Sequence, residues 1–186
     1  DATGRTNAWN RRFIELLEIP VFAGTDTTRN QLGNIIHTFA EHPDQWALLR
    51  ERPELVPAAV EEAIRWEPAT EALPRFTLED IEVGGHTVPA GTLMLLMSMS
   101  ANHDTVAMPG ADRFDIARPN PEGWHLLTFG GGIHYCLGAP LARLEAEVVF
   151  TRLLQRYPEL ALCDTTPEWR PLINLRGLAA LRLRGG

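Results

Sequence analysis

Apolar residues recur at helical spacing through residues 9–40: Phe13, Leu16, Leu17, Val21, Leu32, Ile35, Ile36 and Phe39 share one side of a 3.6-residue repeat. The pattern predicts one long helix. Pro20, which removes a backbone donor, and Gly24, which packs poorly in a helix interior, should distort it. A second helix is predicted over 43–51, opening on a proline tolerated in a first turn. A third runs over 54–66 and stops ahead of Pro68. The period then changes. Residues 75–78, 81–83, 87–88 and 92–96 read as short strands, with Gly84-Gly85 and Ala90-Gly91 as turns. Residues 102–127 show neither period, and irregular segments of that length are usually functional. A further helix is predicted over 139–156, and weak alternation over 160–184 predicts two or three strands.

Composition narrows the class without naming a chemistry. The 186 residues are 45% hydrophobic and 22% charged, ordinary for a soluble globular chain of roughly one domain. The longest apolar run, 93–97, is too short to cross a bilayer, and residues 1–10 are too polar for a signal peptide. A cytoplasmic protein without a membrane anchor is therefore expected. The net charge of -7 and the scattered basic residues argue against a nucleic-acid partner. Two cysteines, Cys136 and Cys163, make no disulfide framework and suit a reducing compartment.

The strongest local signal is Phe129-Gly130-Gly131-Gly132-Ile133-His134-Tyr135-Cys136-Leu137-Gly138, placed directly before a predicted helix. Glycines let the backbone approach a ligand closely and adopt positive φ. Backbone N–H groups and the positive end of the following helix would both favour a thiolate at Cys136. No C-x-x-C pair accompanies it, which argues against zinc. No Lys-Ser/Thr ending follows, which argues against a phosphate loop. The spacing alone leaves a low-potential cysteine and a cysteine buried in a glycine-rich turn both open.

This loop has the form F-x-x-G-x-H-x-C-x-G and resembles the haem-ligand loop of the cytochromes P450, in which a Cys thiolate holds the haem iron. The resemblance implies haem b with Cys136 as its axial ligand, inside a cradle that includes Phe129, Gly130 and Gly138. Ala23-Gly24-Thr25-Asp26-Thr27-Thr28 looks like the family's oxygen-activation sequence. There Ala23 and Gly24 would border the haem, and Asp26 and Thr27 would relay protons. An alcohol beside a carboxylate suits that task, since one donates a hydrogen bond and the other resupplies the proton. A helical threonine bonding back to its own backbone is the ordinary alternative for Thr27.

Glu62-Ala63-Ile64-Arg65 matches the family's E-x-x-R helix. That pattern alone is common, since i,i+3 ion pairs abound on solvated faces. Together with Arg113 it implies a structural network, Glu62–Arg65–Arg113, around the haem loop. Arg75 and His134 match positions that contact haem propionates, and Phe22, Ala23, Leu73 and Ile173 would line the substrate side.

The motifs follow the family's order, so the implied fold is mainly α with small β-sheets. It is the C-terminal portion of the cytochrome P450 fold: long central helix, E-x-x-R helix, meander, Cys-ligand loop and following helix. Residues 1–186 read as a single partial domain without a separate linker. Family members are considerably longer, and the N-terminal half that would supply the distal lid is not in this sequence. Pro20 ahead of the oxygen motif and His103 in Asn102-His103-Asp104 also depart from the pattern. The implied function is a haem-thiolate monooxygenase acting on an apolar organic substrate with O2. Its electrons would come from a ferredoxin or flavoprotein docking near His134 and Arg143. A non-catalytic haem-binding fragment and a peroxide-driven peroxygenase are the alternatives.

Overall fold

The computed structural model describes residues 5–119, 124–163, 166–172 and 174–185, with side chains from Val21 onward except Phe22. Helix α1 (Arg5–Glu41) is continuous for 37 residues, so neither Pro20 nor Gly24 interrupts it. A proline removes one hydrogen bond from a ladder that neighbouring turns sustain, and a Cβ placed on Gly24 would meet no atom within 4 Å. Helix α2 (Pro43–Glu51) matches the predicted span. The expected 54–66 helix divides into a 3₁₀ turn, Pro53–Leu55, and α3 (Val56–Trp66), because Pro57 fits only a first turn.

The strands follow. β1 (Leu73–Phe76) pairs antiparallel with β4 (Leu93–Leu96), and β2 (Ile81–Val83) with β3 (His86–Val88). β1 therefore begins two residues earlier than the sequence pattern indicates. Pro74 masked it, yet a proline is tolerated where each strand of a two-stranded sheet is an edge. Gly84 (φ 58°) and Gly85 (φ 81°) make the expected tight turn between β2 and β3, both in the left-handed region. After the short helix α4 (Ser98–Ala101), the described residues from Asn102 to Leu126 form neither helix nor strand. Helix α5 (Ala139–Arg156) starts where expected.

The tail holds four short strands among its described residues, more than expected. β5 (Ala161–Leu162) pairs with β8 (Leu183–Arg184), and between them β6 (Glu168–Trp169) pairs with β7 (Leu178–Ala180). Strands this short leave little alternation to read.

The core lies where α1, α2, α3 and α5 meet. Ile35 and Phe39, Trp46 and Leu49, Val60 and Ile64, and Phe150 are each no more than 3% exposed. Phe39 is its centre, with ring centroids 5.5 Å from Trp46, 5.3 Å from Phe114 and 5.5 Å from Phe150. Phe114 and Ile116 belong to the irregular segment, so a stretch without regular structure still contributes to the core.

Candidate functional site

Arg65, at 1% exposure, is the largest fully buried side chain among the described residues. Nε and Nη2 donate to Glu62 Oε2 and Oε1 at 2.7 and 2.9 Å. Nη1 donates to the carbonyls of Asn102 and Ala111 at 2.8 and 2.9 Å, and Nη2 to that of Arg113 at 3.0 Å. The five N–H donors of the guanidinium are thereby all taken, which is how a buried arginine is tolerated. Glu62 Oε1 also accepts the N–H of Asp115 at 2.9 Å, and Oε2 accepts Nη2 of Arg118. The second arginine side chain on Glu62 is thus Arg118, and the expected Arg113 enters the network only through its main-chain carbonyl. Arg118 Nη1 adds a 2.9 Å bond to the carbonyl of Gly110.

The network continues into the cysteine loop through Asn102, itself 1% exposed. Its Oδ1 accepts the N–H of Leu127 at 3.1 Å and its Nδ2 donates to Thr128 Oγ1 at 2.9 Å. Thr128 Oγ1 donates to the carbonyl of Ile64 at 3.3 Å, returning to α3. Beyond this anchor come two 3₁₀ turns, Leu127–Phe129 and Gly132–His134, and then Cys136, whose N–H donates to the Phe129 carbonyl at 2.9 Å. Gly130 (φ 75°) and Gly132 (φ 62°) take the positive angles expected of this loop.

A second hold comes from α5. Arg143 donates through Nε and Nη2 to Glu61, the latter at 3.1 Å, and through Nη1 to the Tyr135 hydroxyl at 3.0 Å. Its guanidinium lies 4.5 Å from the centroid of the Phe129 ring. Hydrogen bonding to Glu61, above all, raises the Arg143 pKa above the ordinary arginine range. Its charge is matched within the chain by Glu61.

The expected site residues assemble in part. Leu73, Gly130 and His134 come together: a Cβ on Gly130 would sit 3.6 Å from Leu73 Cδ1 and 3.5 Å from the His134 carbonyl oxygen. A Cβ on Gly138 would lie 3.9 Å from Cys136 Sγ, an ordinary contact. Arg75 Nη1 donates to the carbonyl of Pro74 at 2.7 Å, and His134 is exposed. The described contacts of the oxygen motif are local to α1. Thr27 Oγ1 donates to the Ala23 carbonyl, and Arg29 Nη2 donates to Asp26 Oδ1 at 2.6 Å. The threonine back-bond occupies the hydroxyl proton and leaves its oxygen free to accept. Ile173 and the side chain of Phe22 lie outside the described residues.

The donor set of the loop fits an iron brought in by a macrocycle. Cys136 and Cys163 are both free and exposed, and Ile133 (97% exposed) and Leu137 (98%) of the same loop present apolar surface to solvent. Among the described residues no group of three His, Cys, Asp or Glu side chains could hold a metal ion. One soft sulfur in a loop with exposed apolar side chains suits a metal whose other ligands come with it. Asn102, Arg118 and the Glu61–Arg143 pair were not singled out from sequence. The contacts that tie them to Leu127, Glu62 and each other span 25 to 82 residues, and no local spacing signals them.

Comparison with known proteins agrees with this geometry. The cytochrome P450 family model matches residues 45–182. The biotin biosynthesis cytochrome P450 of Bacillus subtilis (strain 168) is 42% identical over 160 residues, which is 86% of this chain and 40% of that protein. The vitamin D(3) 25-hydroxylase of Pseudonocardia autotrophica is 43% identical over 176 residues, 93% of this chain and 43% of that one. The solved structure of the tirandamycin C-bound P450 monooxygenase TamI superposes with a TM-score of 0.87 at 37% identity, covering 93% of this chain and 44% of that one. The chain thus spans about two fifths of the length of the curated relatives it matches. With a family model over most of its residues, relatives above 40% identity and a shared fold, the chain belongs to the cytochrome P450 family.

Proposed function

We propose that this chain carries the iron-ligand half of a haem-thiolate monooxygenase that inserts one oxygen atom of O2 into an apolar organic substrate. The observation that carries the reading is the free, exposed Cys136, flanked by apolar side chains, in a loop held at its base by Asn102 and at its side by Arg143. When bound, haem b supplies the activation of dioxygen, with two electrons delivered by a ferredoxin or flavoprotein.

The chain's own residues do the rest. Cys136 offers its sulfur to the iron, and Phe129, Gly130 and Gly138 shape the cradle around it. Arg75 and His134 serve the propionates, a carboxylate needing a cation or a donor. Asp26 and Thr27 move protons, with Arg29 holding the carboxylate between turns. Phe22, Ala23, Leu73 and Ile173 border the substrate. Among the described residues no helix is long and apolar enough to cross a membrane, and we place the protein in the cytoplasm.

The test is an absorption spectrum of the purified chain with added haem, reduced and exposed to carbon monoxide. A strongly red-shifted Soret band that disappears in Cys136→Ala supports the reading. No haem uptake, or a band typical of His ligation, sinks it for this chain. A second reading is favoured by the chain's share of its relatives' length: a haem-binding piece that does not turn over alone. Haem uptake with a thiolate-type band and no product, when electron donor and O2 are supplied, would decide for it.

A further inference from the structure

The main chain between α3 and β1 is gripped from two sides. Gln31 of α1 donates from Nε2 to the Glu67 carbonyl at 3.0 Å and accepts the N–H of Ala69 on Oε1 at 2.8 Å. The returning tail takes the other side. The N–H of Arg176 donates to the Ala69 carbonyl at 2.7 Å, Thr70 and Leu175 form an antiparallel bridge, and Asn174 Oδ1 accepts the N–H of Ala72 at 2.9 Å.

Two features show that the tail is fitted closely here. Asn174 has φ 59°, the sole positive angle outside glycine among the described residues. Asparagine tolerates that conformation better than most residues, but it still costs free energy unless a contact requires it. Arg176 is fixed at both ends. Its guanidinium lies 3.6 Å from the Trp169 ring centroid and bonds the Glu67 carboxylate, and its carbonyl accepts Asn34 Nδ2 at 3.1 Å. At Gly177 a Cβ would fall 2.3 Å from Asn30 Oδ1, so the chain passes α1 too closely for a side chain.

We propose that Asn174 and Arg176 are positioning residues for the substrate wall, placing Leu73 against the cysteine loop through the hydrogen bonds they make to the segment ahead of β1. The inference rests on the haem-thiolate reading, which puts Leu73 beside the substrate. Ala72, whose N–H is held by Asn174, directly precedes Leu73, and the Leu73 side chain meets Gly130 on its far side. Moving the Ala72 amide therefore shifts Leu73 against the loop at Gly130 while leaving the loop's own anchors, Asn102 and Arg143, unaltered.

The experiment uses the haem-loaded protein and two azole probes, imidazole and 4-phenylimidazole, titrated spectroscopically. Both present a nitrogen to the iron, but only the second needs room for an additional phenyl ring. Asn174→Ala and Asn174→Gly are expected to change 4-phenylimidazole affinity about tenfold, the weight of one hydrogen bond, while leaving imidazole unchanged. Asn174→Asp keeps the acceptor and should restore the original value. Arg176→Lys, which loses the planar fork and stack, should behave like Asn174→Ala. In the haem-free chain, amide exchange at Ala72 should accelerate in the Ala and Gly variants and not in Asp. Equal effects on both azoles, no effect on either, or unaltered Ala72 exchange overturns the positioning role. If Asn174→Ala fails to fold, Asn174→Gly, which suits the positive φ, decides. A missing thiolate-type band in the unsubstituted protein overturns the haem reading and this proposal together; a normal band with size-independent effects overturns this proposal alone.

Discussion

Glu61 and Glu62 are consecutive residues of α3, and their carboxylates hold different parts of the site. Glu61 takes Nε and Nη2 of Arg143, at the start of α5 and against Tyr135 and Phe129 of the cysteine loop. Glu62 takes Arg65, Arg118 and the N–H of Asp115 in the irregular segment. Successive helical side chains point about 100° apart. One helix turn therefore fastens the cysteine loop on one side and the irregular segment on another.

The two arginines expected beside Glu62 should differ sharply when truncated. Arg65→Ala leaves a buried carboxylate short of its partner and three carbonyls without a donor, a loss of about 3–5 kcal/mol. Arg113→Ala should stay within about 1 kcal/mol, because the network uses its carbonyl. Thermal or urea unfolding separates them, and equal losses would contradict the assignment. Arg118→Ala should fall between, since Glu62 keeps Arg65.

Glu61→Gln removes a carboxylate from an arginine that remains charged at any working pH. Both side chains are between a quarter and a third exposed, so solvent screening holds the loss near about 1 kcal/mol. Its local consequence should be larger. Amide exchange at Cys136 should accelerate, because the Phe129 carbonyl that accepts its N–H belongs to the residue on which Arg143 stacks. Unchanged exchange would show that the stack does not steady the loop.

Glycines in the loop should respond according to backbone angle. Gly130 combines φ 75° with ψ −159°, a region essentially reserved for glycine, and faces Leu73, so Gly130→Ala should cost about 1–3 kcal/mol and weaken haem uptake. Gly138 has φ −82°, and its added Cβ would make only an ordinary contact with Cys136 Sγ. Gly138→Ala should therefore leave stability nearly unaltered. Paired denaturant titrations, each with and without haem, check both.

How much of this was legible depended on sequence distance. Helices α1, α2 and α5 were readable because their apolar residues repeat locally, and the cysteine loop because glycine and cysteine announce unusual backbone and chemistry. β1 was misplaced by two residues because Pro74 reads as a breaker when the partner strand is unknown. Arg118 was passed over for Arg113 because Asp112-Arg113-Phe114-Asp115-Ile116-Ala117-Arg118 offers two arginines, and only the fold decides which turns inward. Glu61 was hidden for a similar reason: its partner lies 82 residues away.

Asp26→Asn should slow product formation by about a hundredfold, within the range of a lost general acid, while leaving the reduced carbon monoxide spectrum intact. Its measurement belongs in the haem-loaded protein with an electron donor. Arg29→Ala tests the same relay from the other side, since it frees Asp26 from a 2.6 Å partner. Unchanged turnover in Asp26→Asn would remove the relay role.

Arg65 addresses the irregular segment through the carbonyls of Asn102, Ala111 and Arg113. Every residue type has a carbonyl, so most side chains between 103 and 113 can be exchanged without that grip being lost. Inserting or deleting one residue there is a different matter, because it would put the wrong carbonyls opposite a rigid guanidinium fork. Away from buried Met108 and Ala111 and from Gly110 at positive φ, drift in this stretch should be loose in letters and strict in count, the reverse of a surface loop that tolerates added length.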